Sequence, residues 1–223
     1  MAETLWNIFL GVVVESREYR EWGWNVLTIG AIGIVALVFV EGWGAWKQNQ
    51  KIWREKSGES VSVIFFSYNF FSFTALIFYG AHIASGASIL NGLLAFFYIP
   101  ILLGLWKFKG FTRKEKVLFF LYSMMVPAIA ILPWKDEVFL IISLGIVYSV
   151  ATVPWELWKM KKSGAVEIKL LIVFLVSTVF WVSYSFAIHE WVLEILTTIN
   201  LILLGLATIL WFRYRARERA LVQ

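Results

Sequence analysis

The sequence contains no cysteine, only four prolines and only two histidines. The absence of cysteine excludes disulfides, iron–sulfur clusters, cysteine-ligated zinc and thiol nucleophiles. Charged residues are also scarce: they make up 16% of the 223 residues, whereas soluble domains contain about a quarter. The chain carries no H-E-x-x-H, G-x-S-x-G, Walker or G-x-G-x-x-G motif. We therefore expect a protein that is not an enzyme and that uses no metal and no cofactor.

Long apolar runs dominate the sequence, since apolar residues make up 60% of the chain. Seven runs are long enough to cross about 30 Å of hydrocarbon as helices, at residues 24–43, 61–81, 87–106, 117–132, 138–153, 170–187 and 191–212. The fourth and fifth are the shortest, and a turn at Lys135, Asp136 and Glu137 favours two spans over one re-entrant pair. The sequence predicts an all-α integral membrane protein with seven transmembrane helices.

Lysine and arginine alternate between the two sides of this predicted arrangement. Residues 47–60, 107–116, 156–169 and 213–223 hold four, five, four and four basic residues, while the opposite side holds only Arg17, Arg20 and Lys135. Basic residues mark the cytoplasmic side, so we expect a multi-pass cell-membrane protein with its N-terminus outside and its C-terminus in the cytoplasm. The basic clusters then determine topology and contact lipid headgroups, and we expect no nucleic-acid partner.

Residues 1–23 precede the first predicted span. Apolar side chains cluster between Leu5 and Val13, and charged side chains follow from Glu15 to Glu21. The apolar part is too short to cross a bilayer. We therefore expect an interfacial helix on the outer leaflet rather than a disordered tail.

The chain resembles itself at an offset of 105 to 109 residues. Residues 56–58 and 162–164 both read Lys-Ser-Gly, and each triplet follows a tryptophan and basic residues. Asn91 and Asn200 lie near the starts of the third and seventh spans. We expect two three-helix repeats, residues 24–106 and 138–212, joined by a linker helix at 107–137 and followed by a basic tail at 213–223. Both repeats have the same orientation, so their axis lies along the membrane normal.

These residues resemble the PQ-loop superfamily and, within it, the SWEET (MtN3/saliva) sugar transporters. The family pattern is Pro-Gln at the end of the first helix of a repeat, a short basic loop ending in Lys-Ser, then Trp-x-x-Tyr-Gly and a membrane asparagine. The second copy has Pro154 without the glutamine, and the first has Gln48 without the proline. Trp181 and Tyr184 match the aromatic motif of the second copy. The resemblance implies alternating access, with substrate held between two triple-helix bundles.

Asn91 and Asn200 are the strongest candidates for substrate binding, because an amide in hydrocarbon is costly unless it has partners. The alternative is that each amide bonds to a neighbouring helix. Trp181 could stack on a sugar ring, with Leu76 at the equivalent place in the first copy. Tyr79 and Tyr184 could line the same cavity. The resemblance implies that Gln48 and Pro154 belong to the gate.

Glu41 is an intramembrane carboxylate close to the cytoplasmic end of the first span, and its two interpretations are proton coupling and an ion pair or snorkelling near Lys47. We expect a carrier of a small neutral polar solute, with sugar as the leading candidate, working by facilitated diffusion. The alternatives are a PQ-loop carrier for amino acids or vitamins, and a membrane receptor or scaffold that binds without transport. The expected partners are the solute and the lipid bilayer, and a homo-oligomer is compatible with the sequence.

Overall fold

The computed structural model of this protein describes residues 14–58, 61–161 and 168–220. In this part of the chain all regular secondary structure is α-helical. The helices are α1 (Arg17–Arg20), α2 (Val26–Glu55), α3 (Val63–His82), α4 (Gly86–Gly92), α5 (Ala95–Phe108), α6 (Arg113–Ser123), α7 (Met125–Ile131), α8 (Lys135–Met160), α9 (Ile168–Ile188) and α10 (Trp191–Ala220). The apolar part of the predicted interfacial helix, residues 5–13, lies outside the described residues.

Six helices of the described residues are long and apolar enough to cross a membrane. They are α2, α3, the pair formed by α4 and α5, α8, α9 and α10. Their positions agree with six of the seven predicted runs, which confirms an all-α, multi-pass membrane protein. The helices extend past the apolar runs, most clearly in α2, which continues to Glu55. Apolar length predicts where a helix meets the bilayer, whereas helical hydrogen bonding continues into water as long as the residues favour it.

The fourth predicted run, residues 117–132, is divided between α6 and α7, which are separated at Met124. The Met124 N–H bonds to the carbonyl of Leu121, 3.2 Å away, instead of the carbonyl four residues back. Neither helix alone is long enough to span, so a count of seven spans stays a prediction. The connection predicted beside Lys135 to Glu137 lies at residues 132–134, and these three charged residues form the first turn of α8. Acidic side chains suit that position, since they face the positive end of the helix dipole.

The described chain divides into two compact units, Met1–Phe139 and Leu140–Gln223. In unit 1, α3 packs against α4, α5, α6 and α7, while α2 packs against α4 and α5. A cluster of buried apolar side chains holds α2, α3 and α5 together near the C-terminal end of α2; its members are Ala45, Ile52, Val63, Ile101 and Leu105. Helix α8 begins in unit 1 and continues into unit 2.

Close backbone packing in unit 1 depends on glycine between α3 and α4. A Cβ atom added at Gly92 would lie 2.8 Å from the carbonyl oxygen of Phe73 and 2.5 Å from the side chain of Ile77. A Cβ atom added at Gly80 would lie 2.9 Å from the backbone nitrogen of Ile89. These two glycines let α3 and α4 approach more closely than larger residues would, as is common between membrane helices.

Unit 2 is built on the antiparallel pair α9 and α10. Its core cluster joins α8, α9 and α10 and comprises Leu157, Leu171, Leu204, Ala207, Leu210 and Tyr214. Near the linker between the paired helices, the hydroxyls of Ser185 and Thr197 lie 3.1 Å apart, and Thr197 also donates to the Leu193 carbonyl. These bonds satisfy two buried hydroxyls, which stabilises the pair in a setting without water.

The same helix terminations occur in both units at positions 105 residues apart. Lys56 and Lys161 have left-handed backbone conformations, with φ of 48° and 52°. Their N–H groups donate to the carbonyls of Ile52 and Leu157. Ala84 and His189, which follow α3 and α9, are also left-handed, with φ of 54° and 51°. A left-handed residue is a common end of a helix, but it is strained for residues other than glycine.

Candidate functional site

Asn200 lies in α10 within unit 2, and its side-chain amide is a candidate solute-binding group. Its Oδ1 atom is buried and has no hydrogen-bond partner among the described residues. The Oγ atom of Ser143 in α8 is also buried without a hydrogen-bond partner among these residues. An unsatisfied buried polar atom costs about 1–3 kcal/mol. A water, an ion or a bound polar molecule can each supply the missing bond.

Asn91 lies in unit 1 at the end of α4 and is 9% exposed. Its backbone carbonyl accepts the N–H of Leu94, 3.1 Å away, at the point where α4 gives way to α5. The neighbouring Gly92 packs closely against α3. The Asn91 side chain is therefore carried on a short helix whose position is determined by close contact with α3.

Trp181 and Tyr184 lie one turn apart in α9. Their rings meet edge to face, with centroids 6.0 Å apart and planes at 89°. Tyr184 is fully buried, whereas Trp181 is half-buried. Trp181 thus keeps part of its indole surface uncovered within the described residues, and Tyr184 supports its orientation.

Leu76 and Tyr79 occupy the matching positions of α3 in unit 1, and both are buried. Phe139 covers one face of the Tyr79 ring, with centroids 4.0 Å apart and planes at 7°. Tyr79 therefore contributes to packing in this structure, and Leu76 is a buried apolar neighbour.

Gln48 and Pro154, the predicted gate residues, lie in different units. Gln48 lines a polar cavity of about 220 Å³ between the end of α2 and the start of α3, with Lys51, Glu55, Ser57 and Ser62 among the other lining residues. Pro154 is buried inside α8. Because proline has no N–H, the helix lacks the bond that residue 154 would make four residues back, which favours bending at that point.

Glu41 lies in α2 and is partly exposed. It interacts electrostatically with the phenol of Tyr98 in α5. Tyr98 is itself held by aromatic contacts, stacking on Phe73 at 5.6 Å and tilting against Phe66 at 5.5 Å. Proton coupling and an ion pair or snorkelling near Lys47 both stay predictions for Glu41.

No protein-family model matches the sequence, and no curated protein matches it in sequence. The fold, however, is similar to a solved one, described as the 3.7 Å resolution structure of a eukaryotic SWEET transporter. The superposition has a TM-score of 0.71 and covers 86% of this chain and 97% of that one, at 14% sequence identity. The chain has the SWEET fold. The resemblance predicted from the short motifs is thereby confirmed at the level of the fold.

A pair of buried serines lies beside two of the predicted site residues. Ser72 and Ser177 are 105 residues apart, and each lies one turn before a predicted site residue, Leu76 or Trp181. Both are buried, and the Ser72 Oγ atom has no hydrogen-bond partner in the described part of the chain.

Asn49 is a buried polar residue to which sequence reasoning gave no role. It is buried in α2, and its Oδ1 atom has no hydrogen-bond partner among the described residues. The helix ends of the two copies lie 105 residues apart. At that offset Asn49 has the position of Pro154, so the glutamine of the Pro-Gln motif would be Gln50 and not Gln48. The short motif alone could not choose between Gln48 and Gln50, because both are glutamines in the same polar segment and lie only two residues apart.

Proposed function

We propose that this chain is a SWEET-like transporter that moves a small neutral polar solute, with sugar as the first candidate, by alternating access and facilitated diffusion. The fold supports this function, since it is that of a eukaryotic SWEET transporter. The observation that carries the proposal is the buried and unpartnered amide oxygen of Asn200. A neutral solute with hydroxyl groups would donate the bond that this atom lacks.

We also propose that the chain is built from two parallel three-helix repeats joined by residues 107–137. The helix terminations support this arrangement, because Lys56 and Lys161 correspond, as do Ala84 and His189, always 105 residues apart. Buried positions near the ends of α5 and α10 recur 109 residues apart instead. These are Ile101 with Leu210, and Leu105 with Tyr214.

The change of offset from 105 to 109 adds four residues, about one helical turn, in the second copy. These pairs place the extra turn between His189 and Leu210, and Asn91 corresponds to Asn200 only if the turn precedes Asn200. Measured from the start of its own helix, Asn200 lies about 6 Å further along α10 than Asn91 lies along α4. The proposed binding groups of the two copies are therefore at different depths along their helices.

The proposed orientation places the N-terminus outside and the C-terminus in the cytoplasm. The distribution of 17 basic residues in residues 47–60, 107–116, 156–169 and 213–223, against three elsewhere, supports it. Several of these cations also lie over aromatic rings, as Lys47 does over Trp43 at 4.7 Å and Lys116 over Trp106 at 5.7 Å. Such pairs are suited to the interface between hydrocarbon and headgroups.

The test is uptake of labelled mono- and disaccharides, amino acids and nucleosides into proteoliposomes, with Asn200→Ala as the diagnostic variant. Because no described residue bonds to Oδ1 of Asn200, we expect the variant to unfold at nearly the wild-type temperature. We expect its uptake to fall at least about tenfold, the loss from one hydrogen bond to the solute.

Thr208→Val is the matched control in the same helix. The Thr208 hydroxyl already donates to the Leu204 carbonyl at 2.8 Å, so it is satisfied within α10. We expect uptake by this variant to stay close to that of the wild type. Failure of the correctly folded wild-type protein to take up any solute class would reject the transport proposal and favour a receptor or scaffold with the same fold.

A further inference from the structure

A carboxylate from outside the proposed repeats reaches the start of the helix that carries Asn91. Glu18 belongs to α1, and it is only 7% exposed. Its Oε2 atom accepts the N–H of Gly86 at 3.0 Å, and its Oε1 atom accepts the N–H of Ala87 at 2.9 Å. The hydroxyl of Ser85 approaches the same carboxylate at 3.4 Å. Glu18 thus makes contacts with three consecutive residues that lie 67 to 69 positions further along the chain.

Two further contacts hold the same segment against the linker between α3 and α4. The backbone N–H of Arg17 donates to the carbonyl of Ala84 at 2.9 Å. Ser16, which caps α1 by accepting the N–H of Tyr19, is buried and lies beside Gly86, where an added Cβ would be 3.5 Å from the Ser16 Cβ. The left-handed Ala84 is therefore held by a backbone bond next to the carboxylate contacts.

These contacts complete the N-terminus of α4. The first N–H groups of a helix have no partner within the helix, and in α4 each of the first four is satisfied from outside the helix. The N–H of the N-cap Ser85 donates to the Gly80 carbonyl at 2.8 Å, Glu18 accepts those of Gly86 and Ala87, and the Ser85 hydroxyl accepts that of Ser88 at 3.0 Å. A negative charge at this end also stabilises the helix.

We propose that residues 16–18 form a clamp on α4 and that Glu18 is a positioning residue for Asn91. The inference rests on the proposed function, since it assigns to Glu18 the task of holding a proposed solute-binding amide. Glu18 does not touch the solute. It acts by keeping α4 helical and seated, so that Asn91, the sixth residue of this helix, keeps its position.

The other proposed copy has no need of such a clamp. In the 105-residue register, the position of Ser85 is occupied by Glu190, which is buried directly before α10 and whose N–H donates to the Ser185 carbonyl. Helix α10 is 30 residues long and supports itself by propagation. The short α4 depends instead on a carboxylate supplied by the segment that precedes the first span.

Hydrogen exchange of the full-length protein in lipid tests the clamp directly. We compare Glu18→Gln, which keeps the size of the side chain but only one amide oxygen, with Glu21→Gln, a matched change at an exposed position next to α1. We expect Glu18→Gln to raise exchange at Gly86 and Ala87 by about tenfold, and to raise exchange through Asn91 to Leu94 as well. Glu21→Gln should leave all these amides unchanged. Equal exchange in the two variants would overturn the clamp.

Uptake kinetics of the same two variants test the link to Asn91. We expect Glu18→Gln to raise the KM for the transported sugar several-fold with kcat nearly unchanged, because the binding group is displaced while the conformational cycle is kept. A KM equal to that of Glu21→Gln, with α4 exchanging faster, would overturn the positioning role. If the wild type transports no solute, the proposed function fails, and exchange at Asn91 to Leu94 alone decides the inference: faster exchange supports it and unchanged exchange overturns it.

Discussion

Phe139, in the second turn of α8, stacks face to face on Tyr79 of α3, with ring centroids 4.0 Å apart. Three residues before Phe139 and three after Tyr79, Asp136 and His82 form a second contact, with Oδ1 and Nε2 3.5 Å apart. Residues three apart share one face of a helix, so the two contacts lie side by side. Together they attach the first turns of α8 to the end of α3 within unit 1.

Replacing Phe139 with alanine should destabilise the protein by about 1 kcal/mol or more, because the stacked pair is lost and a gap is left beside the fully buried Tyr79. Phe120→Ala is the control, since Phe120 is 63% exposed. Equilibrium unfolding in detergent measures both free energies. A loss of equal size in the two variants would show that the stacked pair contributes nothing of its own.

The His82–Asp136 contact should contribute less than the aromatic pair. Both side chains are more than a third exposed, and solvent-exposed ion pairs are worth about 0.2–1 kcal/mol. We expect a double-mutant cycle with His82→Gln and Asp136→Asn to give a coupling free energy in that range. Coupling of several kcal/mol would contradict this expectation and would mean that the pair is shielded from water in the bilayer.

Gly92→Ala should lower the free energy of unfolding by about 1–3 kcal/mol, because the new methyl group meets the Phe73 carbonyl and Ile77 and pushes α4 away from α3. Gly44→Ala in α2 is the matched control. Nothing lies within 4 Å of a Cβ atom at Gly44, so this change should stabilise the helix by up to about 1 kcal/mol. Opposite signs in thermal unfolding are the expected result; the same sign would refute close packing at Gly92.

The start of α6 should lose stability in acid. Thr112 and Glu115 form a capping box, in which the backbone N–H and the hydroxyl of Thr112 both donate to the Glu115 carboxylate at 2.8 Å. The hydrogen bond from the Thr112 backbone is the main cause that lowers the pKa of Glu115 below its ordinary value, and the hydroxyl bond and the charge of Lys109 add to it.

A lowered carboxyl pKa means that the cap stabilises the folded helix at pH values above the ordinary pKa of glutamate and that this contribution is lost as the pH falls through the lowered value. We expect the protection factors of the first amides of α6, in which the observed exchange rate is compared with the intrinsic rate at the same pH, to fall in acid, and Glu115→Gln to remove most of that fall. The exposed site limits the effect to about 0.5 kcal/mol. Lys114→Gln, a charge change in the same turn, should keep the acid dependence.

Much of the fold could be predicted from local sequence. The apolar runs predicted six helices correctly because transfer of a side chain into hydrocarbon depends on that side chain and its near neighbours. The SWEET-like architecture was predicted from motifs such as Trp181-x-x-Tyr184 and the two Lys-Ser-Gly loops, and the fold confirms it. The orientation of the chain and the binding roles of Asn91 and Asn200 stay predictions.

The interruptions of the helices could not be predicted in this way. The breaks at Met124 and after Gly92 lie inside continuous apolar runs, so the hydropathy of the sequence does not reveal them. The end of α4 coincides with the close approach of Gly92 to Phe73, a contact between helices. The sequence likewise treated Tyr79 as a cavity residue, and only packing brought Phe139 over its ring.

The sequence by itself determined which segments enter the membrane, because hydrophobicity and charge are local properties. The tertiary structure decided which polar groups are satisfied, because hydrogen bonding depends on atoms far apart in the chain. The Glu18 carboxylate accepts the N–H groups of Gly86 and Ala87, which lie more than 60 residues further along the chain. The Asn200 Oδ1 atom accepts no hydrogen bond from the described residues. In a solvent without hydrogen-bonding groups, that difference separates a structural carboxylate from a candidate binding amide.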